Sequence, residues 1–276
     1  MDDEHAVQNA APLSSKMIYE VVRRDGEEEL ARPMNSLIWS GIAAGLLISF
    51  SVIGEAVLRN SLPDVPWRYL VENLGYSFGF LLVILGRMQL FTENTITTIL
   101  PLMADQRGRQ FMCVLRLWGV VLTANIIGAA IAAAFMAHSG AFAPDLTAII
   151  ADLSRHATGF PPGEAFVRGI PAGILVASIV WMLPRQTGSD VLLIILFTWL
   201  IAAGDFTHII AGSVEMWFLL LQGELGVGRA LVNFFIPVLA GNVIGGTAVF
   251  TLLAWGQVKA EVEPEKDAPR VTAGGT

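Results

Sequence analysis

Apolar residues fall in six long runs along this chain, at about 37–58, 69–103, 111–137, 165–183, 190–221 and 232–255. A helix needs about 20 apolar residues to cross the hydrocarbon layer of a bilayer. Each run therefore predicts a membrane-crossing helical segment, and the pattern predicts an all-α membrane protein. The second run is too long for one simple helix and is interrupted at 86–94; the fifth is interrupted at 204–208. Tryptophans 39, 67, 118, 181 and 255 fall near segment ends, where amphipathic rings prefer the headgroup level.

The pattern repeats. Gly41-Ile42-Ala43-Ala44-Gly45 in segment 1 resembles Gly169-Ile170-Pro171-Ala172-Gly173 in segment 4. Ala124-Asn125-Ile126-Ile127-Gly128 in segment 3 resembles Gly241-Asn242-Val243-Ile244-Gly245 in segment 6. Segments 2 and 5 are both broken. Three correspondences in the same order predict two three-helix repeats. Three crossings is an odd number, so the second repeat must be inserted upside down. This aquaporin-like plan places a site near the midplane, at the broken helices. The predicted organisation is a tail at 1–36, a channel domain at 37–256 with repeats at 37–137 and 165–256, and a second tail at 257–276.

Charge sets the expected orientation. An even number of crossings puts both tails on one side. That side carries eleven Lys and Arg (16, 23, 24, 32, 107, 109, 116, 185, 259, 266 and 270) against five (59, 68, 155, 168 and 229) on the other. The excess predicts cytoplasmic tails in an inner, plasma-type membrane. The longest loop, 138–164, is then external. Asp2, Asp3, Glu4 and the run Glu27-Glu28-Glu29 do not suit a signal peptide. Residues 1–35 read as a soluble tail in which Asp25 is expected to cap a short helix; 257–276 read as a polar, mobile tail.

Composition narrows the function. The chain is 54% hydrophobic and 15% charged, with net charge −7, far less charged than a soluble domain. No basic cluster suits nucleic acid. Cys113 is the one cysteine, which rules out an intramolecular disulfide and reads as packing. No nucleophile–base pair or metal cluster sits in the apolar segments, so neither an enzyme, a metal nor a cofactor is expected.

The candidate chemistry lies at the two breaks. The first reads Gly86-Arg87-Met88-Gln89-Leu90-Phe91-Thr92-Glu93-Asn94-Thr95. Arg87 and Glu93 would each cost roughly 2.5–3.5 kcal/mol facing lipid at a helix centre, so this stretch should line a pore or a protein interface. The second reads Ala203-Gly204-Asp205-Phe206-Thr207-His208-Ile209-Ile210-Ala211-Gly212-Ser213. His208 is the one histidine in an apolar segment, and its imidazole can gain or lose a proton near neutral pH. Asp205 is expected to cap the half-helix that follows. A half-helix starting at the midplane offers free N–H groups and a positive partial charge to an anion. Leu90 and Phe91 can narrow the path between them.

These residues resemble the formate/nitrite transporter family, over about 37–255. The resemblance rests on Leu90-Phe91-Thr92, on Phe206-x-His208, on Trp181-Met182, and on Asn233-x-x-Ile236-Pro237 followed by Gly241-Asn242-x-Ile244-Gly245-Gly246. It implies a homopentamer of channels for small monovalent anions such as formate or nitrite. It implies that Thr92 and His208 contact the anion, that Leu90 and Phe91 form a constriction, and that Asn242 lines the pore. The chain departs from the family at Thr207, where an acid is common, at Gly212, where an asparagine is common, and at Glu93. Around the lysine that commonly precedes segment 4 it offers Arg155, His156 and Ala157.

An ionised Glu93 in the path would repel an anion by roughly 4 kcal/mol at 4 Å and an effective dielectric near 20. Glu93 is therefore expected to turn away, into an ion pair with Arg87 or onto backbone N–H groups at the half-helix start. Asn94 belongs to the same loop. The alternative function is a non-conducting membrane scaffold or sensor with the transporter fold. An aquaporin proper would carry Asn-Pro-Ala at both half-helices, and that tripeptide is absent.

Overall fold

The computed structural model describes residues 13–104, 108–185 and 188–262. Arg107, Lys266 and Arg270 lie outside these, and only the backbone of Arg109 and Arg185 is described. The described chain is helical throughout. Helix α1 (Ser15–Ala31) precedes α2 (Met34–Leu47) and α3 (Ser49–Ser61), which together form the first span with a kink at Ile48. α4 (Arg68–Glu72), a 3₁₀ turn (Asn73–Tyr76) and α5 (Ser77–Leu85) form the second. After the first break come α6 (Phe91–Thr97) and α7 (Ile99–Ala104). α8 (Gly108–His138), α9 (Pro144–Thr158) and α10 (Pro162–Met182) follow. α11 (Asp190–Ala203) and α12 (Ile209–Leu221) flank the second break. The last span runs from Val227 to Val262 through α13 (Val227–Arg229), α14 (Ile236–Val243) and α15 (Leu252–Val262), with wide π-helical turns between them. Pro237, at the start of α14, has no N–H to donate, a recognised cause of such irregularity. Among the described residues, five helical stretches are long and apolar enough to cross a membrane; α11 and α12 are shorter apolar helices.

The two halves correspond bond for bond. Asn125 on α8 donates from its amide to Gly41 O and Gln89 O and accepts from Phe91 N. Asn242 on α14 donates to Gly169 O and Thr207 O and accepts from Ile209 N. Arg87 and Asp205 occupy matching places in the breaks, with left-handed φ of 51° and 53°. The helices pack closely because glycine faces the asparagine-bearing backbone. A Cβ on Gly45 would lie 2.0 Å from Asn125 O, and one on Gly173 2.3 Å from Asn242 O. This is the inverted-repeat, aquaporin-like architecture that the sequence predicts.

Several local expectations are corrected. Ser14, not Asp25, caps the N-terminal helix: its hydroxyl accepts from Met17 N. Asp25 sits mid-helix, because Ile18, Tyr19 and Val22 form a buried face against Ile96, Leu100, Ala177 and Val258. The stretch at 257–262 is not tail but the end of α15. The loop at 138–164 contains α9, whose Ile150, Ala151 and Leu153 are buried against α3 and α12. Its Pro144 fits the first helical turn, where a missing N–H costs nothing.

Candidate functional site

The two breaks bring the starts of α6 and α12 together. Leu90 is the N-cap of α6, so the interruption spans 86–90 and not 86–94. Phe91, Thr92, Glu93 and Asn94 lie in the first helical turn, and Leu90, Phe91 and Thr92 are almost wholly buried. His208 is the N-cap of α12. Its Nδ1 accepts from Ala211 N at 3.3 Å. This corrects the cap expected of Asp205: an imidazole already at the cap position leaves the N–H groups no use for a carboxylate three residues earlier. With Nδ1 accepting, the neutral ring carries its hydrogen on Nε2, which lies 2.9 Å from Thr92 Oγ1. Thr92 and His208 thus join the two half-helices directly, and the edge of His208 meets Phe80 with ring centroids 5.0 Å apart.

Two cavities approach this junction from opposite ends. The first, about 180 Å³, is lined by Glu55, Tyr76, His156, Asp205, His208 and Glu215 among others. The second, about 770 Å³, is lined by Glu29, Arg87, Gln89, Glu93 and Asp190 among others. Leu90, Phe91 and Thr92 line neither of them.

Asp205 instead anchors the first cavity's rim. Its Oδ1 accepts from the Tyr69 hydroxyl at 3.1 Å and pairs with His156 Nε2 at 2.7 Å, while Arg168 donates to its carbonyl. The hydrogen bond to Asp205 raises the pKa of His156, with burial opposing it. Thr207 donates to Ala165 O. The amide of Asn242 is committed to the backbone of the second break, and the residue is fully buried. Gly212, where the family commonly carries asparagine, faces Phe234: a Cβ there would lie 2.4 Å from the ring.

The Arg87–Glu93 pair is not formed. Arg87 is exposed, no ion pair joins the two among the described residues, and Glu93 Oε1 is buried without a hydrogen-bond partner. Arg87, with left-handed backbone, is exposed ahead of the α6 cap, while Glu93 lies in the first turn of that helix.

Three carboxylates were missed by sequence reasoning. Glu29 on α1 accepts from Gln89, Asn94 and Thr97, so the N-terminal helix reaches the first turns of α6. Burial pushes its carboxyl pKa up, and those three bonds hold it down. Its signal was spacing: 18, 22, 26 and 29 share one helical face. Glu55 and Glu215 line the first cavity. Their signal was simply an acid inside an apolar run.

A bundle of apolar helices, with two broken segments meeting at a buried polar junction between opposed cavities, defines a membrane channel of aquaporin-like fold. The chain belongs to the formate/nitrite transporter family, whose sequence profile matches residues 16–256. It is 40% identical over 261 residues to the inner membrane protein YfdC of Escherichia coli, covering 95% of this chain and 84% of that one. It is 29% identical over 271 residues to the formate channel FocA of Haemophilus influenzae, covering 85% and 92%. A solved pentameric formate channel with formate bound superposes with a TM-score of 0.72 at 24% identity, covering 82% of this chain and 98% of that one. An FNT family ion channel gives 0.74 at 20% identity, covering 88% and 98%.

Proposed function

We propose that the chain is a channel for small monovalent anions such as formate or nitrite. It crosses the inner membrane six times, with α11 and α12 together making the fifth crossing and both termini in the cytoplasm. It works as a homopentamer in which each protomer has its own pore. The observation that carries this reading is the Thr92–His208 bond at the meeting point of two half-helix N-termini. Backbone N–H groups and the helix dipoles favour negative charge there, and the apolar pair Leu90 and Phe91 restricts size. Asn242 supports the path by fixing the break, without reaching into it. The relatives' formate channels support the choice of anion.

The test is flux in proteoliposomes, with formate and nitrite offered in parallel. Saturable uptake of either, lost in protein-free vesicles, is the expected result. No uptake of any small anion would favour the scaffold with the transporter fold.

A further inference from the structure

Near His208 the first cavity is walled by rings from three elements: Tyr76 of the 3₁₀ turn, Phe206 of the second break and Phe234 of the last span. Tyr76 carries a hydroxyl, and Phe206 is only half-buried. Phe234 is the wholly apolar, fully enclosed member, 1% exposed and packed within the main core. It stands on the π-helical turn Ala230–Phe235. Its ring points at Gly212: a Cβ there would lie 2.4 Å from Cζ, 3.0 Å from Cε2 and 3.4 Å from Cε1. Gly212 follows His208 by one helical turn of α12, so the two share a face, and both line the cavity. The ring therefore rests on bare backbone beside the approach to His208. No side-chain carbon packs at 2.4 Å, so any residue but glycine at 212 would push the ring off this place. A ring enclosed in this way has no free space into which to withdraw when a ligand arrives.

A wall that cannot give discriminates by size, because an added methyl group must displace it or stay out. We propose that Phe234 is a specificity-determining residue of this pore, setting a size limit in the first cavity ahead of the Leu90 and Phe91 constriction. This deepens the anion-channel reading and rests on it. Gly212 is the other half of the device, since its missing side chain is what seats the ring on the His208 face of α12. Where the family commonly carries asparagine, this chain exchanges a polar side chain for apolar bulk from another helix. An asparagine at 212 and this ring cannot both hold the place. The substrate class is then narrower than monocarboxylates at large. Formate and nitrite are planar anions of three heavy atoms and pass beside the ring. Acetate adds a methyl group and lactate a hydroxyethyl group. Those groups meet the ring before the carboxylate reaches His208 and the N–H groups at the half-helix starts.

The test measures formate, acetate and lactate uptake in parallel by the full chain in proteoliposomes. Wild type should take up formate at least about tenfold faster than acetate, and lactate more slowly still. Phe234→Leu should raise the acetate-to-formate ratio at least about fivefold with formate uptake retained, and Phe234→Ala should admit lactate as well. Phe160 supplies the control. It lines the same cavity, but the Arg168 guanidinium covers its ring at 4.3 Å, so Phe160→Leu should leave the ratio unchanged. Wild-type acetate uptake as fast as formate, an unchanged ratio in Phe234→Leu, or an equal gain in Phe160→Leu would each overturn the proposal while leaving the channel reading intact. If Phe234→Ala fails to assemble, Phe234→Leu decides, because it keeps most of the apolar volume. A wild type that moves no anion at all would overturn both.

Discussion

Replacing His208 by phenylalanine removes two things at once, the cap on α12 and the bond to Thr92. The lost cap should cost about 0.5–2 kcal/mol, visible as a lowered unfolding temperature. The lost bond should change formate conductance in a protein that still assembles; wild-type flux from this variant would remove His208 from the path. Glu93 leads to the reverse of what its sequence context suggested. Its Oε1 makes no hydrogen bond, so Glu93→Gln breaks no bond of that oxygen. The Gln variant should be at least as stable as wild type. A loss of more than about 1 kcal/mol would reveal a partner that the geometry does not contain. The sequence pointed to both residues because ionisable groups are conspicuous in apolar runs. It could not give their partners, since His208 meets Thr92 across 116 residues of chain, a tertiary contact that residue type does not record.

Among elements, the breaks owe their shape to two asparagines on other helices. Asn125→Ala would leave Phe91 N–H and Gln89 O unsatisfied in a buried setting and remove the second bond to Gly41 O, which keeps its helical partner. At about 1–3 kcal/mol for each orphaned group, the loss should reach about 2 kcal/mol or more, and Asn242→Ala should match it. Chemical denaturation in detergent would measure both. The internal repeat was legible because Gly and Asn recur in one order. What the asparagines do was not, because the bonded carbonyls lie 36 and 84 residues away from Asn125. Helix α9 escaped the sequence reading too, its short apolar face being weaker than the membrane runs beside it. It closes over the first cavity through His156 and Asp205. The histidine's raised pKa makes that link strongest at low pH. It is fully present below the unfolded value near 6.5 and is lost as pH rises through the higher folded value. Hydrogen exchange over 144–158 should therefore accelerate above neutrality in wild type, and show no such step in His156→Gln.

At the scale of the whole molecule, α1 packs as part of the bundle, although its charged sequence reads as solvated tail. Gly26 makes this possible: a Cβ there would lie 1.8 Å from Thr97 O. Gly26→Leu should push the helix off α6, breaking the Glu29 bonds, and expose 15–31 to protease while the membrane spans stay intact. Acid-rich composition hid this contact because only one of the three consecutive glutamates turns inward.

The paired asparagine locks also carry a lesson about direction. They hold two backbones in the same shape, yet the residue presented at the cap is leucine in one half and histidine in the other. At the junction itself, where the two backbones match, any rectification of the current must then arise from side chains. Exchanging the two residues, Leu90→His with His208→Leu, would turn the chemistry around inside an unaltered frame, like reversing a valve without rebuilding the pipe.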